Sequence, residues 1–371
     1  MTAFQDDQQA RAGVETPPTF APSPPGIAPN EGTFWMADPG SELSSSGEAP
    51  GAGSTSEGLP DFQTPAVGRR VGRHILVTRL GAGRQSVVWR AVKVEPPIHV
   101  VALKVFAPEW DLEWVERVAH IRNEAVRRGG GEDSAILPVH ETGEVCGHAY
   151  YTMPLIDGNS LGQALDRRRE HLRSPAPRPH RRLPHLPLAA YLRAMASVGA
   201  RVARALDDLH GTGFAHCDVK PDNILLDWAD RPFLSDYGLS CALDGDAPGS
   251  QPARAMGTPL YMPREKLSGR GDVDERLSDV YSLGVTLYEA TTLARPFRIP
   301  KGLPRTVWAS FLSNLEARPP RDRQPRMPRE LEEIILRAMH PDPGHRHPSA
   351  RALAEELEQF AADDPARAWR A

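Results

Sequence analysis

The sequence predicts an α+β protein with a small strand-rich lobe followed by a larger, mostly helical one. Between residues 74 and 153, short runs rich in Val, Ile, Leu and Tyr recur with glycine breaks, and one helix-like stretch lies among them. From about residue 188 onward, apolar residues instead recur at three and four, the helical period. Strands grouped first and helices afterwards is the α+β pattern. With 371 residues, 40% of them hydrophobic and 25% charged, the chain can bury a full core.

Residues 1 to about 70 stand apart. Up to Ala66 there are ten prolines, nine acidic residues and one basic residue, Arg11. Low hydrophobicity with charge of one sign cannot offset the entropy of ordering, so this segment is expected to be a disordered acidic tail. Thr16 and Thr64, each before a proline, offer phosphorylation sites, and Phe34-Trp35-Met36 offers a docking segment for protein partners. The plainer alternative is a passive leader. No apolar run approaches the roughly 18 residues of a membrane span, and the N-terminus lacks the pattern of a signal peptide. Cys146, Cys217 and Cys241 are odd in number and lack CxxC spacing, which fits a reducing compartment and argues against a disulfide framework or a zinc site. A soluble, cytoplasmic protein is the expectation.

In the small lobe, His74–Val77 reads as a strand. Gly81 and Gly83 then sit in a hairpin ending at Ser86-Val87-Val88, where backbone N–H groups can approach phosphate oxygens with no Cβ in the way. Alone, such a hairpin is weak evidence. Val100–Val105 is a buried-looking strand carrying one lysine, Lys104, which either snorkels outward or meets an anion. Lysine is scarce here, five against 39 arginines, and a compact ammonium is not interchangeable with a guanidinium at a phosphate. A helix over about 110–128 carries Glu124 as the favoured ion-pair partner for Lys104, with Glu116 the alternative. Gly129-Gly130-Gly131 ends it. Ile136–Val139 and Ala149–Met153 read as two further strands, and residues 154–158 connect to the next lobe.

In the large lobe, residues 167–182 form an Arg- and Pro-rich insertion, either a basic docking surface or a solvated loop. Basic residues without interleaved aromatics make a nucleic-acid partner unlikely. Leu188–His210 is a helix with one apolar face, stopped by Gly211 and Gly213. It leads into His216-Cys217-Asp218-Val219-Lys220-Pro221-Asp222-Asn223, a loop presenting a carboxylate, an ammonium and an amide. An acceptor for a hydroxyl proton, a cation for a migrating phosphate and a neutral oxygen for a metal are what phosphoryl transfer to an alcohol requires. Strands at Ile224–Leu226 and Phe233–Leu234 then bring the chain to Asp236. His340, His345 and His347 cluster without Cys or acidic ligands, and read as a polar loop.

Gly81-x-Gly83-x-x-Ser86-x-Val88, Val101-Ala102-Leu103-Lys104, His216-Cys217-Asp218-x-Lys220-x-x-Asn223 and Asp236-Tyr237-Gly238 follow one another in the order of the protein-kinase signatures. Over about residues 72–361 the chain resembles a eukaryotic-like (Hanks-type) bacterial serine/threonine protein kinase. The resemblance implies a bilobal protein-kinase fold over 71–361, with a small antiparallel-sheet lobe (71–158), a helical lobe (159–361) and a short tail at 362–371. It implies ATP and Mg²⁺ (or Mn²⁺) as cofactors and a protein substrate. Asp218 would accept the hydroxyl proton and Lys220 would neutralise the moving phosphate. Asn223 and Asp236 would ligate the metal, and Thr258 would hold Asp218 and Lys220 in register. Gly81, Gly83, Ser86, Val88, Ala102, Lys104, Glu124, Met153, Pro154, Ile156 and Leu225 would make the nucleotide site. Glu265 and Arg346 would form a buried ion pair, and Asp279 would anchor the catalytic loop from below.

The pattern departs from the family in five places, one of them Ser86 for the third glycine, which is tolerated because only the first two need the closest approach. Cys217 replaces the arginine that pairs with a phosphorylated activation loop, and only Ser240 and Ser250 carry hydroxyls between Gly238 and Gly257. Activity is therefore expected not to need activation-loop phosphorylation. Tyr237 for Phe is a mild change. Arg264 stands in place of Pro, and Arg128 stands where an apolar side chain would pack. The competing readings are a pseudokinase or scaffold that binds without turnover, and a small-molecule kinase, which would lack the peptide-cradling segment from Gly257 to Glu265.

Overall fold

The computed structural model describes residues 67–83, 85–174, 183–237, 241–243, 258–268, 273–300, 302–304 and 307–362. Residues 1–66 of the expected acidic tail, the prolines of the Arg/Pro-rich insertion, Ser240, Ser250 and residues 363–371 lie outside them, while Arg70 falls in a strand and Ala362 in a helix.

The small lobe is built on strands β1 (Arg70–Val71), β2 (His74–Ala82), β3 (Ser86–Lys93) and β4 (Val100–Phe106), then helix α1 (Leu112–Arg128), then β5 (Glu141–Val145) and β6 (His148–Pro154). These strands form one antiparallel sheet in the order β1-β2-β3-β4-β6-β5. Apart from Lys104, β4 is apolar, because both its faces are covered. Val101, Leu103 and Val105 enter one apolar cluster with Trp89 and Tyr150, while Ala102 and Phe106 enter a second with Tyr151 and Met153. Asp111 caps α1, its carboxylate accepting the Trp114 N–H at 2.8 Å. The strand expected at 136–139 does not form. The Asn123 side chain takes both the N–H and the C=O of Val139, at 2.8 and 2.9 Å, and Ile136 makes only an isolated bridge to Leu234. Pairing with β6 starts two residues later, at Glu141.

The chain crosses through β7 (Gly158–Ser160) into α2 (Leu161–Arg173), whose start carries a reciprocal Ser160–Gln163 capping box. Two arginines of the α2 basic run are held by the fold, while Arg167 is exposed. Arg168 is buried over the Tyr191 ring, and Arg169 pairs with Glu289 at 2.9 Å. α3 (Leu188–His210) has the bounds the periodicity gave. β8 (Phe214–Ala215), β9 (Ile224–Asp227), β10 (Pro232–Leu234) and β11 (Cys241–Ala242) follow, with β7-β9-β10 in one small sheet and β8-β11 in another. The remaining helices are α4 (Arg264–Leu267), α5 (Glu275–Thr292), α6 (Trp308–Leu312), α7 (Pro320–Arg323), α8 (Arg329–Ala338) and α9 (Ala350–Ala362).

α3 packs on both α5 and α9. Gly199 permits the approach, since a Cβ there would lie 2.7 Å from Leu287 Cδ2. The core of this lobe runs from α1 to α9. Among the described residues no helix is long and apolar enough to cross a membrane.

Candidate active site

A cleft of about 450 Å³ lies under the β2–β3 hairpin. That is within the range of small-molecule sites. Gly81, Gly83, Ser86 and Val88 line it from the hairpin, and Gly83 closes the turn by donating its N–H to Ser86 O at 2.8 Å. The β3–β4 register sets Val88 directly opposite Lys104, and the β4–β6 register sets Ala102 opposite Met153, so all four reach the cleft from one sheet. Pro154, Ile156 and Leu225 line it too, as do Asn223 and Asp236. Asp222 and Tyr151 are wall residues that the motifs did not single out.

The loop after β8 is hung from α5. The Asp279 carboxylate accepts the backbone N–H groups of His216 at 2.7 Å and Cys217 at 2.9 Å, and contacts His210 Nε2 at 2.9 Å. Burial pushes the Asp279 carboxyl up, but the histidines and N–H groups around it prevail and hold it below the usual range. Cys217 sits at φ 66°, a left-handed conformation that a non-glycine residue holds only when its surroundings fix it, and these two bonds do so. Burial lowers the His216 pKa, so the ring is neutral near pH 7. Its Nε2 lies 2.9 Å from Ser235 O, which makes that nitrogen the donor and leaves Nδ1 to accept the Asp218 N–H at 3.3 Å.

Asp218 is the hub. It accepts the Asn223 amide at 2.9 Å, the Thr258 N–H at 3.0 Å and the Thr258 hydroxyl at 2.9 Å. Lys220 Nζ lies 2.8 Å from Asp218 Oδ2 and donates to Thr258 Oγ1 at 2.8 Å. Asn223 Nδ2 is spent on Asp218, while Asn223 Oδ1 is buried with no hydrogen-bond partner among the described residues. A buried orphan oxygen is costly unless something binds it. Lys104 and Asp236 form an ion pair across the cleft. Desolvation opposes charge on Asp236, but the Lys104 ammonium overcomes it and holds the carboxyl at about 2. Burial likewise lowers the Lys104 pKa and Asp236 more than restores it, a net rise. An ionised carboxylate beside an unpartnered amide oxygen fits a hard divalent cation.

Glu124 does not join this site. It pairs with Arg127 and Arg128 on the outer side of α1, and Lys104 takes Asp236 instead. Arg122 turns inward in its place, fully buried, with its guanidinium 4.5 Å from the Tyr237 ring centre and 5.0 Å from that of Tyr151. The sequence carried a signal for this. Arg122 lies one helical turn from Val118, Ala119 and Ala125, all on the buried stripe.

The cysteines also correct an expectation. Cys217 and Cys241 are disulfide-bonded, leaving Cys146 free and exposed. Their spacing of 24 residues has no motif, and what brings them together is the β8–β11 ladder, with Cys241 opposite Ala215.

The profile of the protein kinase domain matches residues 75–357. The chain belongs to the protein kinase family. Its relatives are bacterial Hanks-type serine/threonine kinases: it is 34% identical over 291 residues to the serine/threonine-protein kinase PknD of Mycobacterium tuberculosis, with 78% of this chain and 40% of that protein covered. Similarity to PknH of Mycobacterium bovis is 31% over 296 residues, covering 80% and 45%, and to Pkn1 of Myxococcus xanthus 32% over 304 residues, covering 80% and 40%. The chain spans less than half the length of these relatives. Its match runs from β2 into α9 and takes in both lobes and the cleft.

Further from the cleft, Arg346 and Glu265 form the buried pair that the kinase resemblance implied. Two bonds of 2.8 and 3.0 Å join them, and the Arg346 side chain is 0% exposed. His345 and His347 face Asp342 and Glu356 at 3.0 Å each.

Proposed function

We propose that the kinase transfers the γ-phosphate of ATP to serine or threonine hydroxyls of a protein substrate. The observation that carries this reading is the Asp218 carboxylate, held by an amide, a threonine and an ammonium beside a cleft that ends in a lysine–aspartate pair. Asp218 would orient the acceptor hydroxyl and take its proton as the oxygen–phosphorus bond forms and the bond to ADP breaks. Lys220 would offset charge on the transferring phosphoryl group, and Thr258 would keep the two in register. Lys104 would exchange Asp236 for phosphate oxygens. Asn223 and Asp236 are the residues to hold Mg²⁺ or Mn²⁺. The ion, when bound, would neutralise phosphate charge. ATP as co-substrate goes with a cytoplasmic site of action, and the acidic tail is the segment to recruit protein partners.

Activation-loop phosphorylation is not needed in this reading. What supports this is Cys217, which stands where the family's arginine would receive a phosphate beside Asp218. Phosphatase treatment or Ser240→Ala with Ser250→Ala should leave activity in place, and its loss would refute the point.

A scaffold that binds nucleotide without turnover draws support from two features, the Lys104–Asp236 pair and Glu124 turned away. The test is labelled ATP with a generic protein acceptor, followed by phospho-amino-acid analysis. Label on serine and threonine supports the kinase reading. Nucleotide binding with no transfer supports the scaffold.

A further inference from the structure

The Cys217–Cys241 bond joins the residue before Asp218 to the strand that follows Asp236. Its loop encloses Asp218, Lys220, Asn223 and Asp236, whereas Lys104 reaches the site from β4 outside the loop. Each cysteine is also held in place by other bonds. Asp279 fixes the Cys217 backbone, and β11 pairs with β8 while Leu243 N–H donates to Gly213 O at 2.8 Å. Reduction therefore leaves the two sulfurs facing each other, in position to close again. Both are buried in a small apolar cluster with Ala215, and Glu275 Oε2, itself held by Lys266 Nζ at 2.7 Å, lies 3.8 Å from Cys217 Sγ.

We propose that Cys217 and Cys241 are a reversible dithiol–disulfide couple that ties β11 covalently to the catalytic loop and so sets affinity for the protein substrate. The oxidant class is a low-molecular-weight disulfide. One cysteine thiolate attacks a sulfur of the oxidant and expels one small thiolate. The second cysteine thiolate then attacks the mixed disulfide, closing the protein S–S bond and expelling the other. Two electrons pass to the oxidant, and the two protons lost by the cysteines end on the two small thiols. A cation bound by Cys217, Cys241 and Glu275, whose ligand atoms lie within 4.8 Å of one another, is the competing use of these groups, but Lys266 already occupies Glu275.

The test equilibrates the full chain in graded ratios of reduced to oxidised glutathione, then alkylates, maps thiols by mass spectrometry and measures steady-state transfer. Cys217 and Cys241 should convert together in one two-electron transition and appear as one linked peptide, with Cys146 alkylated throughout. Oxidation should lower KM for the protein acceptor about tenfold, the factor that corresponds to fixing one or two backbone residues, with KM for ATP unchanged. Cys241→Ser should retain transfer and lose the redox response. Separate conversion of the two thiols, zinc retained stoichiometrically by wild type and lost by Cys241→Ser, or linkage with no change in KM would each overturn the proposal. The KM arm rests on the proposed kinase activity. If neither redox state transferred phosphate, that activity would fail on its own, and the thiol map would still decide whether the couple exists.

Discussion

The Asn223 amide nitrogen donates to Asp218, while its oxygen is buried with no partner among the described residues, which is the basis for the proposed metal role. Asn223→Ala should therefore lower kcat by about two orders of magnitude or more, as loss of a preorganised polar group does, and also abolish the Mg²⁺ dependence of nucleotide binding. Calorimetry with and without Mg²⁺ checks the second part. Unchanged Mg²⁺ dependence would remove Asn223 from the metal role. Thr258→Ala should raise KM for the protein acceptor and lower kcat, while Thr258→Ser keeps both hydroxyl bonds and most activity. The residues that meet at Asp218 were legible because each side chain was spelled out at fixed spacing in a loop. Glu124 was not. Two residues along a helix turn its side chains by more than half a circle, so the rotation of α1 decides whether Arg122 or Glu124 faces inward. That rotation depends on Tyr151 and Tyr237, far away in sequence, and on the competing Arg127 and Arg128.

At the scale of elements, most boundaries followed from local patterns. α3 runs from Leu188 to its stop at Gly211, and β9 and β10 fall where Ile224–Leu226 and Phe233–Leu234 were read as strands. Ile136–Val139 has the composition of a strand, but Asn123 takes the polar groups of Val139 that a strand neighbour would need. No local rule reports that competition. The Glu265–Arg346 pair ties α4 to the turn before α9, and Arg346 also donates to the carbonyls of His340 and Leu277. Glu265→Ala leaves a buried guanidinium without its carboxylate and should cost about 3–5 kcal/mol, while Glu265→Gln should cost less. Urea unfolding measures both, and an effect of Glu265→Ala below about 1 kcal/mol, the surface-pair range, would contradict this account.

At the scale of the molecule, the sheet lobe and the helical lobe were both legible in periodicity, whereas the disulfide needed the fold to bring β11 to β8. Charge on the whole molecule gives a pH signature. Burial lowers the pKa of His74, His140, His216 and His347 below 6.5, so the folded state resists protons that the unfolded state accepts. Their contribution is present above pH 6.5 and is lost as pH falls through the lowered values. Asp236 and Asp279, also lowered, add a second loss below about pH 4 as pH approaches their folded values. Thermal unfolding should show Tm falling from pH 7 to 5 and again below 4. A Tm independent of pH between 7 and 5 would show that these histidines do not stay neutral in the folded chain.

The most direct measurement of the central claim compares wild type and Asp218→Asn side by side, for binding of ATP with Mg²⁺ and for transfer of labelled γ-phosphate to a protein acceptor. The expected result is near-equal nucleotide binding with transfer lower by about two to four orders of magnitude in the variant. Equal transfer by both proteins, or binding without transfer by wild type, would contradict it.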